Sequence, residues 1–416
     1  MTIRIGLIGK TNTGKTTFFN SATLKAAEVS NYPFTTKSPN VGVAQTATLC
    51  VHKELNVKDN PVNSQCIDGW RAIPVEIIDL PGLIKGAWMG KGLGNQFLSV
   101  AAQSDALLHI VDASGGIDAE GRITEPGAGD PVADLGDIEE EMVMWYVKLI
   151  EGNRDRILRG LHADHTITSG MMEVLAGIGV NQNHIQMALA ESKLNEEDFA
   201  NWSPDSLKQF AWILRDISKP TLIVANKMDL EGSADNFKRI REHYHDMIVV
   251  PASAEAELTL RLAEQKHLIR YLPGQERFDV LDAANLSEKQ RWALSYIRQA
   301  VLGEYMRTGV QFAINVAVFK LLKMNTVYPV QNPEKFSDKR GNILPDVYLL
   351  PAGSTVTDLA KEVHSDLARG LLYAIDARTG LQLPNDYQLK DRDVLSIISA
   401  ARKKSQPTRQ TSHKQP

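Results

Sequence analysis

Gly9-Lys10-Thr11-Asn12-Thr13-Gly14-Lys15-Thr16 spells G-x-x-x-x-G-K-[ST], and Asn226-Lys227-Met228-Asp229 follows much later in the chain. The first pattern suits a polyphosphate, because successive backbone N–H groups and a helix N-terminus face the β-phosphate where a side chain would intrude. Gly9 and Gly14 allow that approach. Lys15 brings a compact cation to the β- and γ-oxygens, and Thr16 offers its hydroxyl to Mg²⁺. Asn12, Thr13 and Thr17 are expected to join the same cradle. The second pattern chooses a base. A carboxylate at Asp229 accepts both N1–H and the 2-amino group of guanine, whereas adenine would leave that buried acceptor unpaired. Asn226 and Lys227 complete the base-reading loop, so the expected ligands are GTP and GDP, with GTP favoured over ATP. Asn-Lys-x-Asp alone arises readily by chance; its place behind a strand-loop-helix phosphate motif gives it weight.

Two further constellations fit the same pocket. Asp79-Leu80-Pro81-Gly82 ends an apolar run, where the Asp79 carboxylate would hold Mg²⁺ through water and the Gly82 N–H would meet the γ-phosphate. An ordinary turn also uses Asp-x-Pro-Gly, so order along the chain decides between the readings. Thr35 or Thr36 would close over Mg²⁺ when the γ-phosphate is present, Thr36 being favoured over its role as a plain loop residue. Ser253-Ala254, after another apolar run, fits a backbone contact to guanine O6 and has little weight alone. Lys15 and Thr36 are the expected catalytic residues, and Thr16, Thr36 and Asp79 the expected Mg²⁺ ligands.

Elements must deliver these loops to one place. Apolar runs at Ile3–Ile8, Val75–Ile78, Ala106–Val111, Thr221–Ala225 and Met247–Val250 read as buried parallel strands, with helical stretches between most of them. The fold class is α/β: a doubly wound, mostly parallel sheet of the P-loop NTPase kind, with its ligand crevice at the carboxyl ends of the strands. One connection is abnormal. From 113 to 220 lie 108 residues, where a crossover with its helix needs only about a dozen. A glycine-rich acidic loop opens it, then Ile138, Met142, Trp145 and Leu149 form one helical stripe, and Ser203-Pro204 starts a helix with Leu207, Phe210, Ala211 and Leu214 on one face. The expected organisation is a discontinuous nucleotide domain (1–114 and 220–275), a helical insertion (115–219), a helical connector (276–325) opened by a Ser287/Gln290 capping box, an α+β domain (326–400) and a basic tail (401–416).

At 416 residues the chain exceeds one ordinary core, and its 43% apolar and 23% charged content are those of a globular protein. A formal net charge of -4 argues against wholesale coating of nucleic acid but leaves a local basic face open. Cys50 and Cys66 form no metal-ligand spacing and read as reduced thiols. The opening residues Thr2–Ile8 lack a signal-peptide layout and are too short for a span, so a cytoplasmic protein without membrane attachment is expected. No stable oligomer is expected.

With Asn31-Tyr32-Pro33-Phe34-Thr35-Thr36 and Asp79-Leu80-Pro81-Gly82-Leu83-Ile84-Lys85-Gly86-Ala87, the motifs in this order resemble the Obg-related GTPases of the translation-factor class. The long insertion and C-terminal stretch look like the YchF-like branch of archaea and eukaryotes. Leu344-Pro345-Asp346 through Gly353-Ser354-Thr355-Val356, then Asp358-Leu359-Ala360, Val363-His364 and Asp366-Leu367, is similar to a TGS domain, a β-grasp module. The resemblance covers all but the tail and implies a ribosome or rRNA partner. It also implies K⁺ beside the phosphates at Asn12, as in related GTPases with asparagine there, where the cation plays the part of an arginine finger; tying down the P-loop backbone is the competing role. Two departures matter. The better-known YchF proteins replace the guanine motif and favour ATP, whereas Asn226-Lys227-Met228-Asp229 is intact here. Many small GTPases carry a water-orienting glutamine where this chain has Leu83.

The expected function is a Mg²⁺-dependent GTPase switch hydrolysing GTP to GDP and phosphate in contact with ribosome or rRNA. Competing with it are a nucleotide-dependent scaffold of negligible hydrolysis, which Leu83 keeps open, and a metabolic phosphotransferase, for which no acceptor-activating base constellation is evident.

Overall fold

The computed structural model describes residues 2–24, 39–82, 86–89, 100–161 and 166–400. Its larger sheet is built from β1 (Arg4–Ile8), β2 (Asn40–Leu49), β3 (Gln65–Ile67), β4 (Trp70–Asp79), β5 (Ala106–Asp112), β6 (Thr221–Asn226) and β7 (Val249–Pro251). The order is β2-β4-β1-β5-β6-β7, with β3 paired on β4. The pairs β4/β1, β1/β5, β5/β6 and β6/β7 are all parallel. Every residue of β5 and β6 is buried, which is why these strands read as unbroken apolar runs. β2 carries Val41 and Val43 exposed between buried residues, and its mixed polarity hid it from a search for apolar runs.

Two compact units divide the chain: Thr2–Ala47 with Pro74–Leu322, and Thr48–Ile73 with the segment from Lys323. Within the first, helices fill the long connection between β5 and β6. Pro131–Glu151 begins where the Asp130 carboxylate accepts the Val132 N–H at 3.1 Å and proline takes the first turn. Its stripe Ile138, Met142 and Trp145 is buried, together with Val143 and Tyr146, and Leu149 packs partly buried against it. Opposite lies Pro204–Ser218, capped by Ser203, whose Leu207, Phe210, Ala211 and Leu214 are at most 2% exposed. Shorter helices, Arg154–Leu161, Ile167–Leu175 and Gln182–Ser192, close the cluster. At about 25 cal/mol per Å² of apolar surface, each such leucine or phenylalanine stabilises by about 1.5–3 kcal/mol, enough to hold the helices without sheet hydrogen bonds.

Lys219 ends this layer. Its buried Nζ donates to the Ser104 carbonyl at 2.9 Å, and burial holds the ammonium down to about 8, with Asp105 opposing. An unfolded lysine titrates near 10.4, so between about pH 8 and 10 the unfolded chain binds more protons and stability must rise with pH. Urea midpoints of the wild type should therefore climb from pH 7.5 to 9.5 relative to Lys219→Met. Parallel midpoints of the two chains across that window would refute the assignment.

After β7 come the helix Ala254–Gln265, the short pair β8 (Ile269–Arg270) and β9 (Asp279–Val280), and the helix Glu288–Tyr296. Ser287 and Gln290 form the expected capping box. Beyond Tyr296 the backbone loosens into a π-helical turn over Ile297–Leu302, Gly303–Tyr305 end that helix, and a further helix runs over Val310–Val316.

In the second unit β10 (Met324–Val330), β11 (Tyr348–Pro351), β12 (Leu371–Asp376), β13 (Gln382–Leu383) and β14 (Asp393–Ser399) form a mixed sheet in the order β11-β10-β14-β12-β13. The helix Val356–Val363, started by a Thr355/Asp358 capping box, lays Val356 and Leu359 on Val327, Ala374 and Leu395. One helix across a mixed sheet with a parallel central pair is the β-grasp arrangement. Thr48–Ile73 belongs to this unit through Arg71, which is fully buried: its Nη1 donates to Asp59 Oδ2 at 3.0 Å and its Nη2 to the Leu344 carbonyl at 2.6 Å. β3 and β13 are too short to leave a periodic signature. Among the described residues no helix is long and apolar enough to cross a membrane. The basic tail, 401–416, lies outside the described residues.

Candidate nucleotide-binding site

β1 delivers Gly9 at its carboxyl end, and the loop turns at Gly14 into the helix Lys15–Thr23. Both glycines have positive φ, +142° and +95°. A Cβ would stand 2.2 Å from the Ile110 carbonyl oxygen at Gly9 and 2.2 Å from Asn226 Nδ2 at Gly14. Only glycine fits these points of close approach. Lys15 is 6% exposed and its Nζ donates to the Gly9 carbonyl at 3.1 Å and the Lys10 carbonyl at 2.5 Å, curled into the loop it would leave for a phosphate. Burial holds this ammonium down to about 8, with Asp79 opposing. Thr13 is buried, its hydroxyl donating to the Lys10 carbonyl at 3.1 Å, and Thr17 lies in the first turn of the helix.

β4, the neighbour of β1, places Asp79 beside that loop. Thr16 Oγ1 donates to Asp79 Oδ2 at 2.8 Å, and Asn40 Nδ2 approaches the same oxygen at 3.4 Å. Asp79 Oδ1 is buried and has no hydrogen-bond partner among the described residues. Burial pushes the Asp79 carboxyl up, against the pull of Lys15, Thr16 and Asn40. A buried anionic oxygen left bare next to a threonine hydroxyl fits a hard divalent cation with oxygen ligands. Gly82 lies against the phosphate loop so closely that a Cβ would meet Thr11 Oγ1 at 2.4 Å. Thr36 and Leu83 lie outside the described residues.

The loop Asn226-Lys227-Met228-Asp229 follows from the end of β6. Asn226 spends both ends of its amide on the protein: Nδ2 donates to the Thr13 carbonyl at 2.9 Å and Oδ1 accepts the Ala254 N–H at 3.0 Å. It thereby ties the phosphate loop to the Ser253-Ala254 loop. Ser253 caps the helix Ala254–Gln265 by accepting the Ala256 N–H, and its own N–H donates to the Thr308 carbonyl at 2.8 Å. Lys227 takes a left-handed φ of +62° and its Nζ donates to Asp112 Oδ2 at 2.7 Å. Asp229 Oδ1 is buried without a hydrogen-bond partner among the described residues, while Tyr296 Oη donates to the Asp229 carbonyl. One bare carboxylate oxygen thus stands beside Thr16 at the end of β4 and another in the loop after β6.

Sequence reasoning missed several supports. Asp112 is 1% exposed at the carboxyl end of β5 and accepts from the Ser114 N–H and Oγ as well as from Lys227. An acid closing an apolar strand was the available signal. Asn12 Nδ2 donates to the Gly121 carbonyl at 2.9 Å, so the amide reaches the glycine-rich loop. Lys10 Nζ lies 2.5 Å from Asp134 Oδ1, and Glu141 on the same long helix accepts the Gly86 N–H at 2.5 Å and the Trp88 N–H at 3.0 Å. Nothing in sequence spacing announces partners more than fifty positions away.

Residues 4–132 match the family described as 50S ribosome-binding GTPase, 224–332 that described as Obg-like GTPase YGR210-like, G4 motif-containing domain, and 336–399 the TGS domain. An uncharacterized GTP-binding protein of Methanocaldococcus jannaschii is 44% identical over 398 residues, 96% of this chain and 99% of that protein. The chain belongs to the Obg-related, YchF-like GTPases. The crystal structure of a GTP binding protein from Pyrococcus horikoshii shares 36% identity, covers 96% of this YchF-like chain and 100% of its own, and gives a TM-score of 0.77. A Bacillus subtilis protein named ribosome-binding ATPase YchF is 28% identical over 279 residues, 64% of this GTPase and 70% of that protein. This YchF-like chain carries the complete Asn226-Lys227-Met228-Asp229 motif at the carboxyl end of β6.

Proposed function

We propose that the chain is a Mg²⁺-dependent hydrolase of GTP to GDP and phosphate that works as a ribosome- or rRNA-bound switch. The observation that carries the nucleotide reading is the pair of buried, unpartnered carboxylate oxygens, Asp79 Oδ1 and Asp229 Oδ1. Lys15 would exchange its loop carbonyls for β- and γ-phosphate oxygens, and Asp229 would accept from the guanine edge. Thr16 and Asp79 would hold the divalent cation, with Thr36 closing on the γ-phosphate side. When bound, Mg²⁺ offsets the charge that develops on the phosphoryl oxygens. Asn226, tied to the Thr13 carbonyl and the Ala254 N–H, keeps the phosphate and base loops in register, so that a nucleotide would find both loops already aligned. The ribosomal half of the reading draws on the names of the matched family and of the Bacillus relative.

Sedimentation with ribosomal subunits tests it: the chain should travel with a subunit in GTP and leave it in GDP, and single-turnover hydrolysis should quicken with ribosomes. Equal sedimentation in both nucleotides, or a phosphorylated small-molecule product, would overturn it. Turnover absent with and without ribosomes would leave a GTP-bound scaffold.

A second cation is proposed at Asn12. With Nδ2 given to Gly121, the amide oxygen is the end that a monovalent cation beside the phosphates would take. GTP turnover in K⁺ should exceed that in Na⁺ by about tenfold or more, equivalent to about 1.4 kcal/mol of barrier. Equal rates remove the K⁺ role.

A further inference from the structure

The two cysteines lie outside the short Cys-x₂₋₄-Cys spacing that marks a zinc site in sequence. The fold overrides that distance. Cys50 leaves β2, His52 sits in the short helical turn Val51–Lys53, and Cys66 is the middle residue of β3, opposite Arg71 of β4. With Asp59 from the intervening loop, they place four ligand atoms, one from each residue, all within 4.8 Å of one another. Cys50 Sγ stands 3.3 Å from Asp59 Oδ2, Cys66 Sγ 3.4 Å from His52 Nδ1, and His52 Nδ1 3.5 Å from Asp59 Oδ1. Tetrahedral zinc, with bonds of about 2.0–2.3 Å to oxygen, nitrogen and sulfur, requires ligand-to-ligand edges of roughly 3.3–3.8 Å.

We propose that Cys50, His52, Asp59 and Cys66 form a closed, structural zinc site that clips the segment Thr48–Ile73. Two soft sulfurs, one imidazole and one carboxylate are a donor set for zinc rather than for magnesium or calcium. Four protein ligands leave no open position for substrate, so the role is to hold the chain. Two thiolates and a carboxylate around Zn²⁺ sum to one negative charge, and Arg71, fully buried with Nη1 at 3.0 Å from Asp59 Oδ2, supplies the compensating positive charge. The same guanidinium orients Asp59, the outer-shell support that metal-bound carboxylates use. A simple hydrogen-bonded cluster would have no need of two sulfurs, and a disulfide would have no use for His52 or Asp59.

The test uses the full untagged chain, reduced, stripped with chelator and titrated with Co²⁺. The expected result is one equivalent bound with intense visible bands of four-coordinate Co²⁺ and sulfur-to-cobalt charge transfer in the near-ultraviolet, both displaced by Zn²⁺. Cobalt in the oxygen-lined nucleotide pocket would absorb weakly and without the sulfur band. Cys66→Ser and His52→Ala should each lose the signal while still binding GTP, which shows that the chain has folded. No stoichiometric tetrahedral signal in the wild type, signals that persist in both variants, or a Cys50–Cys66 disulfide in the chain as isolated would each overturn the proposal.

Discussion

Asp229→Asn should weaken GTP binding by a factor on the order of 10² to 10⁴ and make xanthosine triphosphate the better ligand. A hydrogen bond to a charged group contributes about 1.5–3 kcal/mol, and Asp229 would accept two from guanine. The carboxamide keeps an acceptor for N1–H but turns its NH₂ toward the guanine 2-amino group, donor against donor. Xanthine carries an oxygen there and restores the match. The effect should be confined to recognition, because Asp229 Oδ1 has no hydrogen-bond partner among the described residues for the substitution to break. Titrations of wild type and variant with both nucleotides check this; GTP affinity within a few-fold of wild type would sink the guanine assignment.

Lys15→Met should abolish measurable GTP binding and leave the empty protein folded. The ammonium is a poor contributor to the empty state: burial holds it down to about 8, and its partners are two loop carbonyls and Asp79. Its value is realised only against phosphate, where a charged donor in a buried site strengthens each contact. A wild-type chain at a hundred times its dissociation constant gains about 2.7 kcal/mol from ligand. Its melting temperature should therefore rise by several degrees with GTP, and that of Lys15→Met should stay where it stands without nucleotide. A variant that still responds to GTP would show that the lysine is not the phosphate ligand; one that unfolds without nucleotide would show that the loop depends on it structurally.

The motifs that carry these two residues were legible from the chain alone because each is local. Gly14, Lys15 and Thr16 are consecutive, and glycine is required at Gly9 and Gly14 by backbone conformation and by atoms only 2.2 Å from where a Cβ would stand. Strand runs such as Ala106–Val111 and Thr221–Ala225 were equally plain, since a strand covered on both faces must be apolar throughout. The capping residues Ser203 and Ser287 act within three positions of themselves. β2 was not legible, because exposed Val41, Val43 and Leu49 break its buried run.

By itself, then, the order of residues determined the phosphate-loop and Asn-Lys-x-Asp motifs, the parallel sheet beneath them and the capped helices, all consequences of interactions spanning a few positions or of burial on both faces. Tertiary structure alone decided that Asn226 would bridge Thr13 and Ala254, that Lys10 would meet Asp134, and that Cys50, His52, Asp59 and Cys66 would converge beside Arg71. Such pairings depend on how loops are carried by strands that neighbour in space but not in sequence. Composition and periodicity record which face a residue buries, and hold no record of what it meets there.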